Sequence, residues 1–105
     1  MVKKSVIEMI KKYLQLLKQE GLIIDKAFLY GSYVRNEENK NSDIDLLLVS
    51  SQINVSDDEQ IGKIWALTRK VNSKIEPYLI SSDKYQNDDI SPIIQIVKQE
   101  GIEIA

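Results

Sequence analysis

The 105-residue sequence contains neither cysteine nor histidine, and only 4 Gly, 2 Pro, 1 Trp and 1 Phe. Without cysteine there is no disulfide, no thiolate nucleophile and no cysteine metal site; without histidine there is no imidazole base or ligand. Any catalysis must rest on carboxylates, hydroxyls, lysine or a metal held by oxygen. Long hydrophobic runs are missing too. Charges at Lys3, Lys4, Glu8, Lys11 and Lys12 interrupt the N-terminal region, so it does not read as a signal peptide. No stretch approaches the ~18 apolar residues of a membrane span. The expectation is a soluble, cytoplasmic protein with no membrane partner. Fourteen Lys and Arg against 16 Asp and Glu give a formal charge of −2 without a basic cluster, so duplex nucleic acid is not an expected partner.

What is present is the composition of an ordinary globular domain, 43% hydrophobic and 29% charged, with no linker, internal repeat or low-complexity tract. We read residues 1–105 as a single domain with a modest core. Val2, Val6, Met9, Ile10, Tyr13, Leu14 and Leu17 recur at helical spacing and Gly21 sits where a C-terminal cap belongs, which predicts a helix over 2–20. Residues 22–30 are rich in β-formers and predict a strand ended by Gly31-Ser32. Residues 33–42 read as a polar loop, compatible with one helical turn from Ser32. Ser42 to Val49 is the next strand.

Ser56-Asp57-Asp58-Glu59 has the form of a capping box with Ser56 as cap, opening a helix to about Asn72 that turns Ile61, Ile64, Trp65, Leu67, Thr68 and Val71 inward. Lys74 to Ile80 predicts a third strand, in which Pro77 lacks a ladder donor and so favours an edge position or a non-bonding site. Asp83 to Asp89 reads as a loop. Ser91-Pro92 starts a short helix that Gly101 ends, and 102–104 is a last short strand. The order α, β, turn, β, α, β, α, β predicts a small α+β fold, a mixed sheet packed with helices.

Asp43 and Asp45 stand at i and i+2 on a strand, so both project from one face, their Cα atoms roughly 6–7 Å apart. Like charges this close repel unless water or a cation compensates, and an oxygen-only set suits Mg²⁺. The alternative is a half-buried strand turning its polar side to water. Against it, Leu47 and Val49 share that face, which is therefore acidic at one end and apolar at the other. Gly31-Ser32, at a strand end and opening a helical turn, has the geometry that presents amides and a hydroxyl to phosphate, although a bend glycine with a serine cap has the same look. Glu76 completes a carboxylate trio if its strand lies beside the aspartate strand, and otherwise is a solvated edge acid.

Taken together, Gly31-Ser32-Tyr33-Val34-Arg35 followed by Ser42-Asp43-Ile44-Asp45-Leu46 resembles the signature of the DNA polymerase beta-type nucleotidyltransferase superfamily, and more narrowly a minimal nucleotidyltransferase. The resemblance implies the polymerase beta-like fold and an Mg²⁺-dependent transfer from a nucleoside triphosphate such as ATP. Asp43 and Asp45 would bind two Mg²⁺ ions, Gly31 and Ser32 would contact the triphosphate, and Arg35 would reach toward it. Two departures stand out: Asn36 occupies a position where many members have glycine, and the third acid, often aspartate, would be Glu76, as ligand or proton acceptor. Minimal nucleotidyltransferases are often paired with an all-helical HEPN toxin. The resemblance then implies an antitoxin that transfers AMP from ATP to a tyrosine on the toxin. The chain cannot itself be that toxin, whose ribonuclease motif needs a histidine. The competing reading is a non-catalytic antitoxin module that binds nucleotide or partner. Transfer to an antibiotic is a third, disfavoured by the absence of an acceptor-binding domain. A homo-oligomer is compatible with all three. Of the aromatic residues Tyr33 is the best placed to stack on a base, whereas Trp65 reads as core.

Overall fold

The computed structural model describes residues 2–52, 56–87 and 90–105. Its elements are α1 (Lys4–Gln19), β1 (Lys26–Tyr30), β2 (Ile44–Ser50), α2 (Asp58–Thr68), β3 (Ile75–Ser81), α3 (Ser82–Asn87), α4 (Pro92–Glu100) and β4 (Ile102–Glu103). Val6, Ile10, Tyr13 and Leu17 recur every three or four residues and form the buried stripe of α1. Gly21, at φ 80, reverses the chain after it. Its N–H donates to the Lys18 carbonyl and the Leu22 N–H to the Leu17 carbonyl at 2.9 Å, the paired closure that a left-handed residue makes possible. Strand β1 begins only at Lys26, later than the run of β-formers suggests.

The four strands lie in the order β3-β2-β1-β4. β1 is antiparallel to β2 and to β4, while β2 and β3 are parallel and joined by the α2 crossover. Parity divides the strands between two apolar clusters. Ala27, Leu29, Ile44, Leu46, Leu48 and Ile75 pack with α1 and α2, whereas Phe28, Leu47, Val49 and Ile80 meet Ile94 and Val97 of α4. The Tyr13 hydroxyl donates to the Ile64 carbonyl at 2.6 Å inside the first cluster and ties α1 to α2. β3 is an edge strand, as Pro77 requires.

Three local expectations are corrected, and the stop of α4 at Gly101 holds. Asp57, not Ser56, caps α2, its carboxylate accepting from the Glu59 and Gln60 N–H groups, because the helix starts one residue later than the capping-box reading assumes. The same helix buries Ile64, Leu67 and Thr68 and leaves Trp65 45% exposed, since residue 65 is about 100° round the axis from Ile64. Residues 83–87, read as loop, belong to the short helix α3, held down where the Tyr85 ring stacks on Phe28 at 5.3 Å. Asp88 and Asp89, the end of that expected loop, lie outside the described residues. Gly101 ends α4 at a negative φ; it is required because a Cβ there would sit 2.5 Å from the Val97 carbonyl oxygen. No helix among the described residues is long and apolar enough to cross a membrane.

Candidate active site

The register of the sheet decides which acids meet. Tyr30 pairs with Asp45, and Asp45 with Glu76, so these three side chains form one row across β1, β2 and β3 on the α4 side of the sheet. The next row on that face is Phe28, Leu47 and Tyr78. α3 and α4 cover the apolar rows, burying Leu47, Val49 and Ile80. The first row stays open, with Glu76 exposed and Asp45 half-buried. The mixed acidic and apolar face legible in β2 is thus open at its acidic end and covered by α4 at its apolar end.

Gly31 closes β1 at φ 84, a conformation that costs other residues energy. A side chain there would also overlap Asp45 Oδ2, so the bare backbone is what lets the aspartate lie against the turn. The Val34 and Arg35 N–H groups donate back to the Gly31 carbonyl at 3.1 and 3.2 Å, and the Glu37 N–H to the Ser32 carbonyl at 2.9 Å, which makes the single helical turn expected from Ser32. In such a turn the first amides, those of Ser32 and Tyr33, have no intrahelical acceptor. Gly31, Ser32 and Arg35 are therefore brought to the same end of the sheet as Asp43, Asp45 and Glu76.

Charge repulsion marks this end of the molecule. The Asp45 carboxyl is pushed above its ordinary value by burial and by the negative charge of Asp43, against a smaller lowering by Arg35. Glu76 is pushed up by burial, by repulsion from Asp43 and Asp45, and by a hydrogen bond with Asp43 that needs a shared proton. Tyr30 is pushed up to about 12, by burial and then by Asp45 and Glu76.

Among the described residues no three acidic side chains stand close enough around one point to hold an ion as they are: Glu76 and Asp43 lean on each other, while Asp45 lies under Gly31. The donor set still fits a hard divalent cation. Only carboxylate oxygens are offered, and their mutual repulsion is what such an ion relieves.

Sequence reasoning missed two features of the site. Tyr33 packs against the α1 cluster instead of the acidic row, and the aromatic surfaces near the acids are Tyr30, in their row, and Tyr78, 46% exposed and one row further on. Arg35 is not a free loop arginine: its Nε donates to Glu37 and its Nη1 to Glu100 at 2.8 Å. No local signal connects Arg35 to a residue 65 positions away. A groove of about 570 Å³ lined by Lys11, Leu14, Lys18, Ile23 and Ile104 among others shares no residue with the acidic row, so size alone does not mark the site.

Residues 10–105, which carry the open acidic row and the Gly-Ser turn on a mixed sheet flanked by helices, match the model of the nucleotidyltransferase domain family. The chain belongs to that family, whose members generally use nucleotide substrates and divalent metals. Three solved structures share the fold. A candidate nucleotidyltransferase from Sulfolobus solfataricus aligns over 92% of this chain and 77% of its own, with a TM-score of 0.60 and 12% identity. A mutant of the toxin-antitoxin pair MntA-HpeT, with two aspartates replaced by glutamate, aligns over 90% of this chain and 71% of its own, at 0.61 and 18%. A toxin-antitoxin structure with AMP-PNP aligns over 94% and 72%, at 0.57 and 22%. No curated protein matches the chain in sequence.

Proposed function

We propose that this nucleotidyltransferase is an Mg²⁺-dependent protein adenylyltransferase that moves AMP from ATP to a hydroxyl on a partner toxin, acting as its antitoxin. The observation that carries this reading is the placement of Asp43, Asp45 and Glu76 at one open end of the sheet, beside Gly31 and Ser32. The toxin-antitoxin neighbours, one of them with AMP-PNP, support the choice of nucleotide and partner. A helical HEPN toxin is the partner we favour, on the resemblance described above.

In this proposal the Ser32 hydroxyl and the amides of Ser32 and Tyr33 bind the β- and γ-phosphates. Arg35 adds a cationic contact to the same oxygens. Asp43, Asp45 and Glu76 would hold Mg²⁺, which would supply charge neutralisation for the phosphates and activation of the acceptor hydroxyl. The acceptor oxygen attacks the α-phosphorus, the bond to the pyrophosphate oxygen breaks, and the hydroxyl proton leaves through Glu76. Histidine is not needed, because nucleotidyl transfer is mainly positioning and charge neutralisation.

Calorimetric titration with AMP-PNP, with and without Mg²⁺, tests the site, with Asp43→Asn alongside. The expected outcome is metal-dependent binding lost in the variant. Transfer of label from α-labelled ATP to a co-purified partner then tests the chemistry. If an Asp43→Asn/Asp45→Asn double variant still neutralises the toxin in cells, the protein acts by masking and not by catalysis.

A further inference from the structure

Arg35 links three parts of the molecule. Its backbone N–H closes the turn on Gly31, its charge acts on Asp45, and its Nη1 donates to Glu100, the last residue of α4, at 2.8 Å. A second hydrogen bond runs from Nε to Glu37. The Arg35 side chain is 47% exposed, so by itself it would sample several rotamers. Contacts on Nε and Nη1 fix the plane of the guanidinium while leaving three of its five N–H donors for another acceptor. The two carboxylates differ in what stands behind them. Glu37 belongs to the same loop as Arg35. Glu100 is carried by α4, which is seated on the sheet through the buried Ile94 and Val97. The guanidinium is therefore referenced to the rigid body of the fold through Glu100.

We propose that Glu100 is a positioning residue for nucleotide binding: from the end of α4 it holds the Arg35 guanidinium beside the Gly31-Ser32 turn, so that a triphosphate meets an arginine already ordered. The inference rests on the nucleotidyltransferase reading above and adds to it a residue outside the signature motif. The opposite role, a carboxylate that competes with phosphate for Arg35, has the opposite sign in experiment.

The test is calorimetric titration of the full chain with AMP-PNP and with inorganic tripolyphosphate, both with Mg²⁺, for wild type, Glu100→Ala, Glu100→Gln, Arg35→Ala and the Arg35→Ala/Glu100→Ala double variant. Positioning predicts that Glu100→Ala weakens both ligands roughly 3- to 10-fold, the cost of ordering one long side chain on binding. Glu100→Gln, which keeps an acceptor for Nη1, should stay within about twofold of wild type on the same reasoning. The double variant should bind no more weakly than Arg35→Ala alone, because both changes remove one interaction. A structural role for Glu100 would move the melting temperature and would not show that non-additivity. Glu100→Ala binding as tightly as wild type or tighter, or its effect adding to that of Arg35→Ala, overturns the proposal. If Glu100→Ala does not fold, Glu100→Lys replaces it: repelling Arg35, it should weaken binding at least as much, and unchanged binding again overturns the proposal. Wild type failing to bind either ligand overturns the nucleotide reading itself and this inference with it, an outcome separate from a failure of the variants alone.

Discussion

Asp45→Asn should make the metal-free protein more stable while removing its response to Mg²⁺. Asp45 lies in register with Glu76 on the neighbouring strand, with Asp43 two residues before it, and burial and repulsion rather than hydrogen bonding set its raised pKa. Like charges directly opposite on adjacent strands cost roughly 0.2–1 kcal/mol, toward the lower part of that range here because the row is open to water. Removing one charge should therefore raise the melting temperature by roughly 1–4 °C for a chain of this length.

The pH dependence fixes the sign. Asp45 and Glu76 are both raised from ordinary values of 3.8 and 4.5, so across the window that starts there the folded state binds more protons than the unfolded state. Stability falls as pH rises through that window, and the penalty is complete above it. The gap between Asp45→Asn and wild type should be fully open at pH 7 and closed below the ordinary aspartate value of 3.8. Binding of Mg²⁺ to the folded state alone reverses the ranking at pH 7. An ion present at ten times its Kd adds about 1.4 kcal/mol to the wild type and nothing to the variant. Thermal melts followed by circular dichroism, at low salt with EDTA or with Mg²⁺, read all of this. A variant that melts below wild type in EDTA refutes the reasoning, because Asp45 would then be stabilising the turn and not straining the row.

Two further substitutions separate the scaffold from the site. Gly31→Ala and Gly21→Ala both place a side chain at positive φ, at 84° and 80°, and each should cost roughly 1–2 kcal/mol in urea denaturation. A side chain at Gly31 would overlap Asp45 Oδ2, whereas Gly21 faces open space, so nucleotide binding should disappear in the first and survive in the second. Tyr13→Phe removes the buried hydroxyl that donates to the Ile64 carbonyl and should destabilise the protein by about 1 kcal/mol, with AMP-PNP affinity unchanged. An unaltered urea midpoint would show that the α1–α2 contact rests on its apolar surface alone.

Apart from α3, which reads as a loop, the helices and strands were legible in the sequence because their signals are local. The stripe of Val6, Ile10, Tyr13 and Leu17 follows the 3.6-residue period, and Gly21 and Gly31 stand where a left-handed turn is needed. Pro77 marks an edge because it lacks a donor, and Asp45 falls on the face with Leu47 and Val49 because strand side chains alternate, with Asp43 just ahead of β2. The candidate site was legible to the same extent: a turn, a pair of acids and the spacing between them.

The tertiary structure alone decided the rest. Whether Glu76 joins the acids depends on the register of β3 against β2, and a slip of one residue would turn it to the other face. Which side of α2 is buried depends on the rotation at which the helix docks, and this left Trp65 outside and Ile64 inside. Tyr33, in the turn after Gly31, packs against the α1 cluster, a contact that depends on where that turn lies on the folded body. The ion pair between Arg35 and Glu100 joins residues 65 positions apart and is created by the packing of α4 on the sheet. Periodicity and turn chemistry act over one or two turns of chain; register, helix rotation and long-range pairing are set by how whole apolar faces fit together, and no single segment carries that information.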